Sequence, residues 1–549
     1  MVEDAEKTPS VSSPETSAAK RFLRNFASLS AGTLTSRVTG FIREIVIAGA
    51  VGNGPHMDAF VAAFKIPTLF RRVLGEDVVE RAFMPPFRSL ISTGKTKEAW
   101  RLFSALLTIM ALALCAVTAA LYMLAPSIVA IIAPGLAPPI FDLTVRMTYV
   151  VLPFMVAIGL AAFAGGLLNF FEKNVPYAFA PVMLSVGVVL GLVALRPVLT
   201  AYGYGWAALP AGFVLGAVLQ LLVQLPWVLG SGVRGRYEMR IEPTLKTPLG
   251  SAGSVGRESL WITGQSFLSK SVEVLDTYLA SFLASGSIGA LYFAQRLVQL
   301  PNAIIGLAIA RAVAPALTVS HATENHDEFK QEFLRGWRYT LLLVSPMMVM
   351  CVMLSAPVVR LVYERGAFSA EGVQLTGLAF WGYSVGLLGM GVYGLLVRAF
   401  SVIGRNRLPA IATVISVVFN VILDLILVET RLRHGGIALA ASVAVTLNAA
   451  FLFWRLNRYL AIQGHGFGLG EILGPVFKVA VNSVVMAVAL WWASGVWSTS
   501  SETWILTALA DLIVPAVVGT AAYVACSLAL PVREVVQLRH AIGSKLSRS

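Results

Sequence analysis

Apolar runs of about 20 residues, broken by short polar segments, recur from one end of the chain to the other. A helix of about 20 apolar residues crosses the roughly 30 Å of bilayer hydrocarbon. The runs and their breaks predict about fourteen transmembrane helices, at 25–52, 56–76, 102–126, 144–169, 176–195, 204–229, 258–284, 287–318, 338–361, 374–403, 408–428, 435–456, 473–495 and 503–530. The fold class is therefore an all-α polytopic membrane protein. Pro67, Pro301 and Pro346 fall inside spans, which membrane helices tolerate when neighbouring groups satisfy the freed backbone.

Composition sharpens this reading. Of 549 residues, 57% are hydrophobic and 13% charged, against about a quarter charged in soluble proteins. The net charge of +13 would suggest a nucleic-acid partner in a soluble chain. Here the basic residues cluster in loops on one side: with both termini inside, inward segments hold about 26 Lys and Arg and outward ones about six. No nucleic acid is implied, and both termini are expected on the cytoplasmic face of a bacterial inner membrane. The strongest inward segments are 77–101, 230–257 and Arg533 to Arg548, while Arg431 and Arg433 run against the trend. Residues 1–24 read as a disordered cytoplasmic tail without a signal-peptide pattern. Cys115, Cys351 and Cys526 all lie in apolar spans and fit small packing residues.

The stretch from Pro181 (PVMLSVGVVLG) echoes the one from Pro409 (PAIATVISVVFN). The echo divides the chain into two six-helix lobes, 25–229 and 258–456, joined by a linker at 230–257. Two added helices (473–530) and a basic tail (531–549) follow. Paired halves are a transporter pattern, with substrate held where the halves meet.

Charged residues inside the spans carry the functional signal. The first span contains Arg37, Arg43 and Glu44, and the second contains Asp58, Lys65, Arg71, Arg72 and Glu76. At 100° per residue Asp58, Lys65 and Arg72 lie within about 40° on one stripe, and Glu76 sits one turn beyond Arg72. A mid-bilayer Arg or Lys costs about 2.5–3.5 kcal/mol on insertion scales, so such residues line a wet cavity, pair with acids or bind substrate. Structural pairing is the competing reading: Asp58 with Lys65, Glu76 with Arg72, and snorkelling by Arg71 and Arg72. Five basic residues against three acids leave an excess of positive charge. Arg296 sits deep in its span with no acid within a turn, and the Arg fork suits phosphate. Lys270 is read as a partner of Glu273 or Asp276. The cargo class indicated is an anion.

Other chemistry is weak. Gly94-Lys95-Thr96 imitates the end of a phosphate loop, but position 89 is Ser and no strand precedes it. The six histidines lack metal spacing. No cofactor is indicated beyond coupling to an ion gradient, the membrane potential or downstream consumption of the substrate.

The blocks Ser36-Arg37-Val-Thr-Gly-Phe-Ile-Arg43-Glu44 and Asp58-Ala-Phe-Val-Ala-Ala-Phe-Lys65-Ile-Pro67-Thr-Leu-Phe-Arg71-Arg72 resemble the start of the MurJ (MviN) family. These are peptidoglycan lipid II flippases of the MOP exporter superfamily. The resemblance continues through Leu219 to Pro226, Ala280 to Ser287, Tyr292 to Leu297, Gly366-Ala-Phe368 and Gly436 to Leu439. It implies two lobes around a cationic cavity and a groove from the last two helices for a polyprenyl tail. It also implies that Arg37, Arg43, Asp58, Arg71, Arg72, Glu76 and Arg296 are functional charges. The implied partners are lipid II (an undecaprenyl-diphosphate-linked disaccharide peptide), membrane lipids and cell-wall synthesis enzymes. Two departures stand out: a bulky, charged Gly75–Phe83 turn, and Gln299 where an acid often follows the Arg of the eighth helix. Ser185 and Ser401 stand where Asn and Tyr are expected. Rival readings are a flippase for another lipid-linked glycan, a drug exporter, for which an acidic cavity would be expected, and a non-transporting scaffold for cell-wall enzymes.

Overall fold

The computed structural model describes residues 35–70, 83–230, 271–496 and 504–530, and every regular element in them is helical. In chain order these are α1 (35–51), α2 (Pro55–Phe70), α3 (Met84–Ser92), α4 (Thr96–Ile132), α5 (Pro138–Val151), α6 (Pro153–Phe170), α7 (Asn174–Leu190), α8 (Arg196–Ala201), α9 (Ala208–Leu229) and α10 (271–281). There follow α11 (Ser287–Pro301), α12 (Leu307–Ala322), α13 (His326–Met353), α14 (Ser355–Tyr363), α15 (Ala370–Ser384), α16 (Leu387–Val402), α17 (Arg407–Leu427), α18 (His434–Ile462), α19 (Leu469–Val496) and α20 (Trp504–Ala529).

Each of the fourteen predicted spans overlaps a helix or a helix pair among the described residues. Ten helical stretches there are long and apolar enough to cross a membrane, or eleven if α15 and α16, bent by 42°, form one span. The described parts of α1, α2 and α10 are too short to count by length alone. Pro301 closes α11 and is followed by a single π-turn at Asn302–Gly306, which carries the chain into α12. A π-turn at such a point absorbs the hydrogen bond that proline cannot donate.

One expectation changes. Residues 77–101 read as a polar loop, yet they contain α3 and the start of α4. The helix forms because Phe87 is fully buried on one side while Arg88 and Ser89 face outward. Phe83 and Phe87 enter an aromatic cluster with Phe103 and Phe163, with ring centroids 4.8–5.8 Å apart. A nine-residue helix gives too short a periodic signal to be read against charged neighbours.

The chain divides into two compact units. The first comprises residues to Arg43, 70–123 and 149–261; the second comprises 44–69, 124–148 and 262–549. In the first unit, α7 crosses α9 at glycines on both helices. A Cβ at Gly191 would lie 2.5 Å from the Gly212 Cα, and one at Gly216 would lie 2.6 Å from the Leu184 carbonyl oxygen. Gly187 and Gly191 face Gly212 and Gly216, so the backbones touch through a small-xxx-small seam.

The second unit has a large core in which Leu317, Phe333, Leu395, Phe400, Leu452 and Leu456 are fully buried. Its helices start with standard caps: Asn325 accepts from the Glu328 amide at 3.1 Å, and Ser369 from Gly372 at 3.1 Å. The last two helices pack against α13 and α14. Leu342, Val349, Met486, Leu490 and Tyr523 form a small cluster, and Asn482 donates to Ser527 at 2.9 Å. Only 17% of the apolar window of α19 is buried, and Leu473, Phe477, Val488 and Trp491 are exposed.

Candidate functional site

The second unit gathers a chain of charged and polar side chains from α1, α2, α10, α11, α15 and α17. Asp58 sits on α2, 4% exposed. Its carboxylate accepts the Gly286 amide at 2.5 Å and the Gly289 amide at 2.7 Å. Those are the cap and third residue of α11, so an acid on one helix caps the next. Gly286 is left-handed at φ +89°, and a Cβ on Gly289 would strike the Asn53 side chain, so glycine is needed at both. The Asp58–Lys65 pair of the competing structural reading does not form. Both residues lie on one stripe of α2, but the orphan amides of α11 claim Asp58.

Lys65 instead meets Glu273 of α10 at 3.7 Å. Asp276 lies one turn further along α10, and Thr277 donates back to the Glu273 carbonyl at 2.9 Å. A cavity of about 20 Å³, room for one water, is lined by Lys65, Glu273, Asp276, Tyr292, Gln295 and Tyr383 among others. Asp424 of α17, fully buried, accepts from the Asn420 amide at 2.7 Å and lies within electrostatic range of Asp276. Among the described residues no cluster of three or more His, Cys, Asp or Glu has the grouping to hold a metal ion.

Arg296 on α11 is not the lone cation that its own helix suggests. Glu44 of α1, 2% exposed, approaches its Nε at 3.9 Å and accepts the Tyr292 hydroxyl at 3.0 Å. The guanidinium also lies 4.9 Å from the Tyr292 ring centre and donates to Gln299 at 3.5 Å. Gln299 thus occupies the place expected for an acid and contacts the same Arg. A search along one helix cannot find Glu44, which is 252 positions earlier, though its place inside an apolar span marks it. The side chain of Arg296 stays 35% exposed.

In the first unit, Arg37 is half-buried on α1 and Arg43 lies over the Phe213 ring at 5.6 Å. Arg71, Arg72, Glu76 and Lys270 lie outside the described residues. Sequence reasoning passed over Asn420 and Asp424. Two polar residues four apart in an otherwise apolar span were the available signal.

Residues 47–512 match the family of lipid II flippase MurJ. This chain belongs to the MurJ family. MurJ proteins are transporters rather than enzymes, and the chain is accordingly a multi-pass membrane protein. A relative from Rhizobium meliloti (strain 1021), described as a probable lipid II flippase MurJ, is 30% identical over 489 residues, covering 85% of this chain and 86% of its own. A solved structure of lipid II flippase MurJ in an inward closed conformation aligns with TM-score 0.72 at 23% identity, over 91% of this chain and 97% of that one. An inward-facing multidrug resistance MATE transporter of the MOP superfamily aligns with TM-score 0.63 at 15% identity, over 80% of this chain and 98% of that one. The MurJ/MATE fold is therefore shared. The MurJ motifs also gain physical reasons: Gly286 belongs to the turn capped by Asp58. Gly366, at φ +58°, would place a Cβ against the Gly49 carbonyl, where Ala367 donates at 2.8 Å.

Proposed function

We propose that this protein translocates lipid II, the polyprenyl-diphosphate-linked peptidoglycan precursor, from the inner to the outer leaflet of the bacterial cytoplasmic membrane by alternating access. Membership of the MurJ family supports the cargo. The observation that carries the reading is Arg296: its guanidinium is braced by Glu44, Tyr292 and Gln299 yet remains a third exposed. A braced Arg fork presents donors in the geometry of a phosphate with little rotamer entropy left to lose.

On this reading Arg296 contacts the diphosphate. Arg37, Arg43, Arg71 and Arg72 add positive charge along the route, and Lys65 with Glu273 keeps α2 and α10 in register. The α19–α20 pair carries the polyprenyl tail on its exposed apolar surface. Both termini face the cytoplasm, and an inside-negative potential favours outward movement of an anion by about 2.3 kcal/mol per charge per 100 mV. Cell-wall synthesis enzymes would take up the product.

The test is complementation in cells depleted of their own flippase, combined with a leaflet-resolved assay of lipid II. The wild-type chain should restore outer-leaflet lipid II. Arg296→Ala should insert normally and fail to do so. Full restoration by Arg296→Ala would remove the assignment of Arg296, and no restoration by the wild type would remove lipid II as cargo.

A further inference from the structure

Within the second unit, the start of α17 and the last turns of α18 lie side by side. The Arg405 guanidinium sits 4.6 Å from the Tyr459 ring centre, and further along Ser416 donates to the Ala444 carbonyl at 3.0 Å. Four arginines stand at this end: Arg405 and Arg407 where α17 begins, Arg455 and Arg458 near the close of α18. We propose that they hold the phosphate of an anionic phospholipid whose acyl chains run down the outer face of α17 and α18.

Three observations lead there. The first is charge: among the described residues none of the four is paired with a carboxylate. Acids on the nearby α13 and α19 are engaged elsewhere, Glu332 with Arg335 at 2.8 Å and Glu471 with Lys330 at 2.9 Å. The second is posture. Arg455 and Arg458 lie 5.8 and 5.9 Å from the Trp454 ring centre, as Arg405 lies over Tyr459. A ring takes the flat face of a guanidinium and leaves its N–H edge for a phosphate. Arg405, Arg407 and Arg458 are exposed. The third is shape, because each helix continues from its arginine as an exposed apolar stripe. On α17, Ile411, Ile415 and Val418 follow Arg407 by four, eight and eleven residues; on α18, Trp454, Phe451 and Leu447 precede Arg458 by four, seven and eleven. These spacings keep each stripe on one helix face.

A free phosphate would use the arginines and leave both stripes idle, whereas a phospholipid uses all of these groups. Arginines that only follow the positive-inside bias would be interchangeable with any other cation on the same side. The patch shares no residue with the group around Lys65 and Arg296, so it does not depend on the cargo assignment. The orientation proposed above makes its leaflet the cytoplasmic one.

The experiment uses the full chain in detergent, stripped of lipid and titrated with dioleoyl phosphatidylglycerol or dioleoyl phosphatidylcholine. Bound lipid is counted by native mass spectrometry. The wild type should hold one phosphatidylglycerol that Arg407→Gln/Arg458→Gln loses, with affinity lowered on the order of tenfold or more. Trp454→Ala removes no charge but frees two guanidiniums and shortens the apolar stripe, so it should weaken the same molecule several-fold. Lys97→Gln/Arg101→Gln removes two exposed cations near the start of α4, an equal loss of charge, and should bind as the wild type does. Phosphatidylcholine should bind all four proteins alike. Equal retention of phosphatidylglycerol by the wild type and Arg407→Gln/Arg458→Gln would overturn the site. An equal loss in Lys97→Gln/Arg101→Gln would overturn it too, because net charge alone would then hold the lipid. Displacement by glycerol phosphate at equal concentration would reduce it to a free-phosphate site, and one-for-one displacement by undecaprenyl diphosphate would assign it to the substrate lipid instead.

Discussion

Asp58 holds Gly286. The carboxylate on α2 accepts the amide at 2.5 Å and takes the Gly289 amide at 2.7 Å, so the first turn of α11 is capped from another helix. Arg296, ten residues along, takes its position from that start.

Asp58→Ala should destabilise the fold by about 1–2 kcal/mol, the usual cost of a lost cap with its amides left buried. Asp58→Asn keeps one acceptor and should fall between. The readouts are melting temperature and hydrogen exchange at the Gly286 and Gly289 amides, which should speed up in step with the loss of transport. Loss of transport with unchanged exchange would mean that Asp58 acts on the cargo directly.

Glu44 offsets the charge of Arg296 and accepts from Tyr292. Glu44→Gln preserves an acceptor for Tyr292 but removes the negative charge. The variant should fold, bind a diphosphate lipid several-fold more tightly, and transport more slowly because release becomes harder. Titration of the purified variant with undecaprenyl diphosphate, beside the leaflet assay, checks both signs.

Lys65 and Glu273 offer a charge-swap cycle. Lys65→Glu sets a third acid beside Glu273 and Asp276, and Glu273→Lys sets two cations together; each alone should lower stability and complementation. The double swap should recover part of the loss, with a coupling of about 0.5–3 kcal/mol. Strictly additive losses would show that the 3.7 Å approach contributes nothing.

Gly366 is needed for its backbone as well as its size. Gly366→Ala combines φ +58° with a clash against the Gly49 carbonyl and should cost about 1–3 kcal/mol. Gly394→Ala, in the interior of α16 with nothing within 4 Å of its added methyl, should be neutral or slightly stabilising in the same melting experiment.

The apolar runs made the helical passes legible, because hydrocarbon thickness fixes span length whatever the packing. Charges out of place inside those runs drew attention to Asp58, Lys65 and Arg296, each of which the structure joins to a group on another helix. Their partners were not legible. Glu44 and Glu273 reach Arg296 and Lys65 across helices far apart in sequence, and periodicity reports only neighbours on one helix. The competing reading paired Asp58 with the wrong group for a related reason: backbone amides leave no mark in a sequence beyond the glycines that expose them. The short helix α3 escaped because its burial depends on Phe103 and Phe163, which arrive from other helices.

The outermost pair, α19 and α20, has a consequence set by the bilayer rather than by the protein. Their 28 and 26 residues amount to about 42 Å and 39 Å of helix, against roughly 30 Å of hydrocarbon. Glu471 and Lys478 mark the first turns of α19 as polar, so the excess length is met by those turns reaching past the hydrocarbon, by tilt or by local thickening of the membrane. Acyl chain length thus becomes a variable acting on this pair, and the same chain reconstituted in thin and thick bilayers should hold α19 and α20 at different inclinations.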